Sequence, residues 1–218
     1  MGLKRIKWGA GAIFMLAATL ISDNALTVLV YLLSALLHEL GHLIAARALK
    51  IEVKEIRFGF SGVRIITGER LTSYKNEIIL ALSGPAVNIG VCIAIFALFS
   101  RFGGGVEGII SSAERFLGSP SLDGWGIAAF LGLSSLIQAA MNLIPVKTFD
   151  GGRIFYCTVA HFCGERVAER GIELTTVCAC LVLWTVALYL MLKVGGGLGI
   201  YVFAACIFLS GFKNRDGR

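Results

Sequence analysis

The sequence is poor in charged residues, in proline and in histidine. Charged side chains make up 16% of its 218 residues, whereas a soluble domain carries about 25%. Only three prolines occur, which excludes a collagen-like or proline-rich disordered chain. The six cysteines include no Cys-x-x-Cys pair and mostly lie in apolar or basic segments, so a disulfide framework is not expected. These absences exclude an ordinary soluble domain and a secreted disulfide scaffold.

Apolar residues are abundant, at 56% of the chain, and they gather into long stretches. A membrane-spanning helix needs about 20 predominantly apolar residues. The sequence therefore predicts an α-helical polytopic membrane protein, one domain over residues 1–218 with about six transmembrane helices. The predicted spans are residues 8–22, 25–46, 78–100, 124–146, 174–192 and 194–212. Residues 1–22 also have features of a signal peptide, but no convincing cleavage site precedes Asp23, and we expect them to be retained as the first span.

Basic residues are distributed asymmetrically around these spans. Seventeen of the twenty Lys and Arg residues precede the first span, lie between the second and third or the fourth and fifth, or follow the sixth. The positive-inside rule places these segments and both termini in the cytoplasm of a multi-pass cell-membrane protein. The net charge of +6 is then a topology signal, and we expect the lipid bilayer rather than nucleic acid as a partner.

The segment from about 50 to 75 changes to a period of two. Ile56, Phe58 and Phe60 alternate with charged or small residues, which is typical of half-buried strands with a turn near Gly59–Gly62. We predict a small cytoplasmic-side β-hairpin or sheet after the second helix, with an irregular amphipathic loop as the alternative. The loop at 101–123 is rich in Gly and Ser, and we expect it outside the cytoplasm with a short surface helix.

The second span ends in a polar motif. His38-Glu39-Leu40-Gly41-His42 is a His-Glu-x-x-His sequence in an otherwise apolar helix. His38 and His42 project about 40° apart and one turn apart, so both imidazoles can reach one metal ion. Glu39 lies about 100° round from His38, close to such an ion without being a ligand. A charged residue at the centre of a span costs about 2.5–3.5 kcal/mol on insertion scales, so the motif predicts a functional site.

A catalytic zinc usually has three protein ligands, and the third must come from elsewhere in the chain. Asp150 follows the fourth span, at the membrane depth of the two histidines. We expect Pro145 to interrupt that helix and Gly151-Gly152 to permit a turn that lets Asp150 face inward. From these residues alone, a helix cap or a lysine partner is the alternative role for Asp150, and His161 is the remaining histidine.

Three short motifs occur in a fixed order between about residues 25 and 155. They are His38-Glu39-Leu40-Gly41-His42, Ser83-Gly84-Pro85-Ala86-Val87-Asn88, and Asn142-Leu143-Ile144-Pro145 with Asp150-Gly151-Gly152. This ordered set resembles the site-2 protease family of intramembrane zinc metalloproteases, peptidase family M50. The resemblance implies one Zn²⁺ per chain, bound by His38, His42 and Asp150, with Glu39 as the catalytic acid/base.

Further residues of these motifs are candidates for substrate binding. Asn142 is a candidate donor to the oxyanion or to the substrate backbone, with an interhelical hydrogen bond as the alternative. Asn88 either contacts substrate or joins the third span to the core, and Pro145 belongs to the same candidate substrate-binding set. Gly84 and Pro85 are expected to kink the third span and to let helices approach closely.

The predicted function is cleavage of a membrane-associated protein within or near its transmembrane segment, with the active site towards the cytoplasm. The resemblance is to the compact, sporulation-type branch, with no PDZ or CBS domain expected. Its candidate substrates are a pro-sigma factor, an anti-sigma factor or a membrane-tethered regulator, and an inhibitory membrane partner is a further candidate.

Two other functions and a second metal site compete with this interpretation. A non-proteolytic zinc-stabilised scaffold or chaperone is the main alternative, which the intact Glu39 disfavours. A metal transporter would require ionisable residues along several spans, whereas here they cluster at one end. A second metal site at Cys157, His161 and Cys163 lacks an obvious fourth ligand.

Overall fold

The computed structural model describes residues 6–8, 24–51, 53–59, 62–67 and 73–194. Its strands are β1 (Ile6–Trp8), β2 (Val53–Gly59) and β3 (Gly62–Thr67). Its helices are α1 (Ala25–Ala48), α2 (Tyr74–Phe102), α3 (Gly105–Gly118), α4 (Gly124–Asn142), α5 (Asp150–Cys163) and α6 (Glu165–Val194).

Among the described residues, three helices are long and apolar enough to cross a membrane: α1, α2 and α4. They overlap the second, third and fourth predicted spans. The fifth predicted span, 174–192, lies within α6, which is not one of these three candidates. Residues 9–22 of the first predicted span and 195–212 of the sixth fall outside the described residues, so the total of six spans stays a prediction.

The ends of α1 follow from local chemistry. The Asn24 side-chain oxygen accepts a hydrogen bond of 2.9 Å from the Leu26 N–H, which satisfies one of the unpaired donors of the first turn. At the other end Lys50 adopts a φ of 56°. The Lys50 and Ile51 N–H groups donate to the Arg47 and Ala46 carbonyls at 3.1 and 2.9 Å. This pattern is a Schellman C-terminus, and it ends the helix six residues past the second histidine.

The surface of α1 is inverted relative to a helix of a soluble protein. Ser34, His38 and His42 are buried, whereas Leu36 and Ile44 are exposed. A helix that turns its polar side chains inward and its apolar ones outward suits a lipid environment. The buried polar face is where the histidine motif lies.

The three strands form one sheet in the order β1-β2-β3. Strands β2 and β3 lie in the segment whose alternation favoured strands, and they pair antiparallel from Val53–Thr67 to Gly59–Gly62. Strand β1 pairs parallel to β2, with Ile6 opposite Ile56. This third strand was not predicted, because three residues of a basic N-terminal segment are too short for a periodic signal. The cytoplasmic position of the sheet stays a prediction.

The described elements divide into two compact units, the first made of most of α1, the C-terminal part of α2, α3 and α4. Phe99 of α2, Ala113 of α3 and Ala129 of α4 form a buried cluster in it. Trp125 packs edge-to-face on Phe99 with ring centroids 4.9 Å apart. The helix expected in the 101–123 loop is α3, and Phe116 anchors it by its burial.

The second unit holds the sheet, the N-terminal part of α2, α5 and α6. Val146, Phe149 and Cys180 form a buried cluster there. The Lys147 N–H donates to the Thr176 hydroxyl at 3.0 Å, so the segment before α5 is tied to α6. Arg153 of α5 forms an ion pair with Glu77 of α2 at 3.3 Å.

The fourth predicted span, 124–146, extends too far at its C-terminal end. Helix α4 stops at Asn142, and Pro145 lies in the irregular segment between α4 and α5, so the helix ends three residues before the proline. Proline has no N–H and disfavours helical backbone at the residue before it, which accounts for a helix that ends before Ile144.

Candidate metal centre

His38 and His42 form a close pair on the buried face of α1. They are 3% and 7% exposed, and their Nε2 atoms lie 3.2 Å apart. Their rings meet nearly edge-to-face, at 81°. Two imidazole nitrogens that converge on one point can bind a shared cation, as the four-residue spacing predicted.

The separation of these nitrogens can be compared with that of a zinc site. Two nitrogens bound tetrahedrally at about 2.0–2.1 Å from zinc lie about 3.3–3.4 Å apart. The observed 3.2 Å is within a few tenths of an ångström of that value. The pair therefore fits Zn²⁺ with little movement of either ring.

Gly84 of α2 packs directly against the histidine pair. A Cβ at this position would lie 2.7 Å from His38 Nε2 and would collide with His42 Nε2. Pro85 beside it is fully buried. The expected close approach of the third span to a neighbouring helix is thus observed. Only a residue without a side chain at position 84 leaves space for the two histidine nitrogens.

The other nitrogen of each imidazole also has a polar neighbour. Ser83 Oγ lies 3.3 Å from His42 Nδ1, and the Asn88 amide lies 3.4 Å from His38 Nδ1. Partners on the second ring nitrogen fix the orientation and tautomer of a metal-binding histidine. Asn142, the last residue of α4, places its amide 3.4 Å from His38 Nε2. Both asparagines singled out from the sequence therefore contact His38.

Asp150 is the first residue of α5 and is half-buried. It belongs to the second unit, whereas His38 and His42 belong to the first, so its role as the third ligand stays a prediction. Phe149, not Asp150, occupies the N-cap position, so the helix-cap alternative for Asp150 is not observed. Two imidazoles and one carboxylate are a common donor set for a catalytic zinc, and the histidine pair fits that ion.

Gly151 and Gly152 differ from the sequence-based expectation. They were expected to form a turn, but both lie in the first turn of α5 with ordinary helical backbone. A Cβ at Gly151 would collide with the Leu143 carbonyl oxygen. The glycine is therefore needed for close backbone packing at the start of α5.

Glu39 is half-buried and lies one residue from the first histidine. One residue further along the helix, its side chain projects about 100° round from that of His38. A carboxylate next to two converging imidazoles is chemically able to act as an acid/base group, the role predicted for Glu39.

Three buried or half-buried polar residues near the pair were not predicted from the sequence: Ser34, Ser135 and Gln138. Ser34 Oγ lies 3.0 Å from Ser135 Oγ and 2.8 Å from Gln138 Oε1, and Gln138 lies 3.1 Å from the Asn88 amide. The available signal was the presence of Ser34 and Gln138 in otherwise apolar spans, where polar side chains need a partner.

The second metal site considered at Cys157, His161 and Cys163 is not observed. In the part of the chain that the structure describes, these three side chains do not come together as a group of possible ligands. Burial raises the pKa of the Cys157 thiol to about 11, which opposes the thiolate form that binds metal. The His161 ring packs edge-to-face against Tyr74 and Phe162, so His161 has a packing role.

Comparison with known proteins gives one family. Residues 26–186 match the family model described as Peptidase family M50. A candidate zinc metalloprotease of Synechocystis sp., sll0528, is 30% identical over 142 residues, which is 65% of this chain and 33% of that protein. The candidate zinc metalloprotease Rip3 of Mycobacterium tuberculosis is 28% identical over 184 residues, 80% of this chain and 43% of that protein. The chain thus spans less than half the length of these curated relatives.

The fold also has a solved counterpart. The chain is similar to the site-2 protease from Methanocaldococcus jannaschii, with a TM-score of 0.71 and 18% sequence identity. The match covers 100% of this chain and 94% of that one. At this identity the likeness concerns the fold.

Proposed function

The chain belongs to peptidase family M50, the site-2 protease family, and from that premise we propose that it is an intramembrane zinc metalloprotease. His38, His42 and Asp150 bind one zinc ion, and Glu39 is the catalytic acid/base. The observation that carries the proposal is the pair of buried histidine Nε2 atoms that lie 3.2 Å apart. The apolar helix around the pair supports a site inside the membrane.

The mechanism assigns a separate task to each side chain. When bound, zinc acts as a Lewis acid that polarises the scissile carbonyl and lowers the pKa of water towards about 7. Glu39 accepts the proton of the attacking water and later delivers it to the amide nitrogen of the leaving peptide. Asn142, whose amide lies 3.4 Å from His38 Nε2, donates a hydrogen bond to the oxyanion or to the substrate backbone. Pro145 follows in the same segment and lines the approach of the substrate.

The substrate is a membrane-associated protein cleaved within or near its transmembrane segment. The amides of a membrane helix are already hydrogen-bonded within the helix, so a short stretch must unwind before its carbonyl can react. Stretches that contain Gly or Pro, or that lie at the membrane boundary, unwind at the lowest cost. A pro-sigma factor, an anti-sigma factor or another membrane-tethered regulator meets this description, as in the sporulation-type branch, and an inhibitory membrane partner would then control access.

The orientation of the enzyme follows from its charge distribution. We place it as a multi-pass protein of the cell membrane, with both termini, the sheet and the active site on the cytoplasmic side, because seventeen of twenty basic residues fall on that side. A zinc-stabilised scaffold is less favoured, since such a protein has no need of Glu39 beside the histidine pair.

The test separates the acid/base group from the metal ligands. Glu39→Gln removes the carboxylate without touching a ligand, so zinc content should stay near one per chain while cleavage falls at least about 10²-fold. Glu114→Gln, in the surface helix α3, is the matched control. New chain ends within transmembrane segments, mapped in membranes that express each protein, should appear with wild type and with the control. Equal cleavage by Glu39→Gln, or none by wild type, would contradict the proposal.

A further inference from the structure

Helix α3 carries an exposed apolar stripe. Val106, Ile110 and Leu117 are 54%, 48% and 57% exposed, and at 100° per residue they project within about 40° of one another. Contiguous exposed apolar surface commonly marks the site of an interaction. At 14 residues the helix is about 21 Å long, too short to cross a hydrocarbon core of about 30 Å. Helix α3 is therefore not a span, and its surroundings decide what covers the stripe.

The stripe lies between a buried face and an acidic edge of the same helix. Ala113 and Phe116 are buried, and they project about 20° and 80° to one side of Val106. Glu107 and Glu114 are exposed, and they project about 80–100° to the other side. The order around the helix is thus protein contact, apolar stripe and carboxylates, which suits a helix that lies in a membrane interface beside the protein.

Short connections tie both ends of α3 to membrane helices. Helix α2 ends at Phe102 and α4 begins at Gly124, so two residues precede α3 and five follow it. Even fully extended, these connections span at most about 7 and 18 Å. Since α2 and α4 are two of the three helices able to cross a membrane, α3 stays close to the ends of two spans.

Packing places α3 beside the ends of these spans. Ala113 shares a buried cluster with Phe99 and Ala129, and the Phe116 ring stacks on Phe130 with centroids 5.3 Å apart. Phe99 lies three residues before the end of α2 and Phe130 six residues after the start of α4, which is about 5 and 9 Å along each helix. The buried face of α3 therefore reaches back alongside both helices.

Lipid is the occupant that is continuous with the neighbouring surface of α2. Ile93, Leu98 and Phe102 are 62%, 43% and 69% exposed on a helix apolar enough to span, where exposed apolar side chains face acyl chains. The stripe begins four residues after Phe102, and the connection to α4 adds Leu122, which is 86% exposed. A soluble partner would have to displace lipid from this end of the spans, whereas acyl chains at the membrane boundary cover it directly.

We propose that α3 is an interfacial anchor whose stripe of Val106, Ile110 and Leu117 lies against lipid acyl chains, with its carboxylate edge in water. Because its connections are short, the position of α3 also fixes how deeply the end of α2 lies in the membrane. Gly84, which packs against the histidine pair, precedes Phe102 by 18 residues of the same helix, about 27 Å. The anchor thus sets the membrane depth of the candidate metal centre. The inference goes beyond the proposed function and holds whether or not the histidines bind zinc.

The test uses photo-crosslinking in the full chain, reconstituted in vesicles of phosphatidylcholine and phosphatidylglycerol. Benzoylphenylalanine replaces Ile110, Leu117 or Arg115, one at a time. Arg115 is the matched control, because it is exposed on the same helix about 140–160° round from the other two. Irradiation should attach lipid at Ile110 and Leu117, as read by mass spectrometry, and leave Arg115 at the level of the unirradiated sample. All three proteins should keep the unfolding temperature of wild type, since the replaced side chains are exposed.

A second arm tests the anchoring itself. With benzoylphenylalanine in place of Phe102, lipid attachment should be lost when Ile110→Asp and Leu117→Asp are combined, because charged side chains withdraw the stripe from lipid. The control pair, Ser111→Asp with Ser112→Asp, lies on the far side of the stripe and should keep the attachment.

Several results would overturn the inference, and none of them depends on zinc or cleavage. Cross-linked dimers from position 110 or 117 would show that a second copy covers the stripe. Absence of lipid at both positions would place the stripe in water or under a soluble partner, and equal attachment at 110, 115 and 117 would show that α3 has no fixed orientation. Unchanged attachment at 102 in the stripe variant would refute the role of α3 in setting the depth of α2.

Discussion

Replacement of Gly84 by alanine should damage the metal centre far more than the fold. The added Cβ would lie 2.7 Å from His38 Nε2, whereas ordinary van der Waals contact begins at 3.4 Å. His38 Nε2 must therefore move away by about 0.7 Å. His42 Nε2 must retreat further, since its contact is the closer of the two. Misplacement of a reacting group by about 1 Å can cost about 10²-fold. We therefore expect zinc affinity and cleavage each to fall by about that factor.

Two opposing terms keep the effect of this substitution on stability small. Alanine in a helix interior is favoured over glycine by about 0.8–1 kcal/mol, and overpacking costs about 1–3 kcal/mol. The net loss in the free energy of unfolding should therefore stay below about 2 kcal/mol. Gly90→Ala is the control in the same helix, because the Cβ it would add has no neighbour within 4 Å apart from the helix's own local backbone.

The assay compares zinc affinity, cleavage and thermal unfolding of wild type, Gly84→Ala and Gly90→Ala in one detergent. Gly90→Ala should match wild type in zinc affinity and cleavage. If Gly84→Ala also bound zinc with wild-type affinity, the two imidazoles would not need the space that Gly84 leaves, and the assigned geometry of the centre would be refuted.

Two further predictions concern topology and thiol chemistry. For topology, the native cysteines are removed and single cysteines are introduced at Lys54 or Ser112. The cysteine at Lys54 should react with a membrane-impermeant thiol reagent only after the membrane is permeabilised, whereas the one at Ser112 should react in intact cells. The opposite pattern would contradict the predicted orientation. In the native protein the Cys157 thiol stays protonated at pH 8, because its pKa is raised to about 11. It should therefore alkylate far more slowly than exposed Cys163, and equal rates by mass spectrometry would contradict its burial.

The histidine motif was predictable because its geometry is local. A spacing of four residues fixes the relation of His38 and His42 once a helix forms, and the apolar sequence around them ensures that one does. The close approach of the third span to the histidine pair was predictable for a similar reason. Glycine has no side chain and proline restricts the backbone, and both effects can be read from the local sequence. These parts of the site needed no knowledge of which helices pack together.

The contacts among Ser34, Ser135 and Gln138 were not predictable in this way. Ser34 and Ser135 are 101 residues apart in the sequence, and Ser34 and Gln138 are 104 apart. Serine and glutamine are also common residues, so neither type nor spacing marks them as partners. Only the packing of α1 against α4 brings them into contact.

Two predictions near the end of the fourth span were wrong: the position where the helix ends and the conformation at Gly151. Hydropathy continues through Ile144, so a composition-based boundary runs on to 146 although the helix stops at Asn142. The sequence predicts a turn at Gly151 because glycine is common in turns. Its actual constraint is the nearby Leu143 carbonyl, a tertiary contact that the local sequence does not reveal.

The most direct measurement of the central claim is the zinc content of two purified variants, read beside their cleavage activity. Asp150→Ala removes a proposed ligand, whereas His161→Ala removes a histidine whose ring packs against Tyr74 and Phe162. Loss of a ligand weakens metal binding and activity together. The account predicts that Asp150→Ala loses both zinc and proteolysis while His161→Ala keeps about one zinc per chain and stays active. Zinc retained by Asp150→Ala and lost by His161→Ala would contradict it.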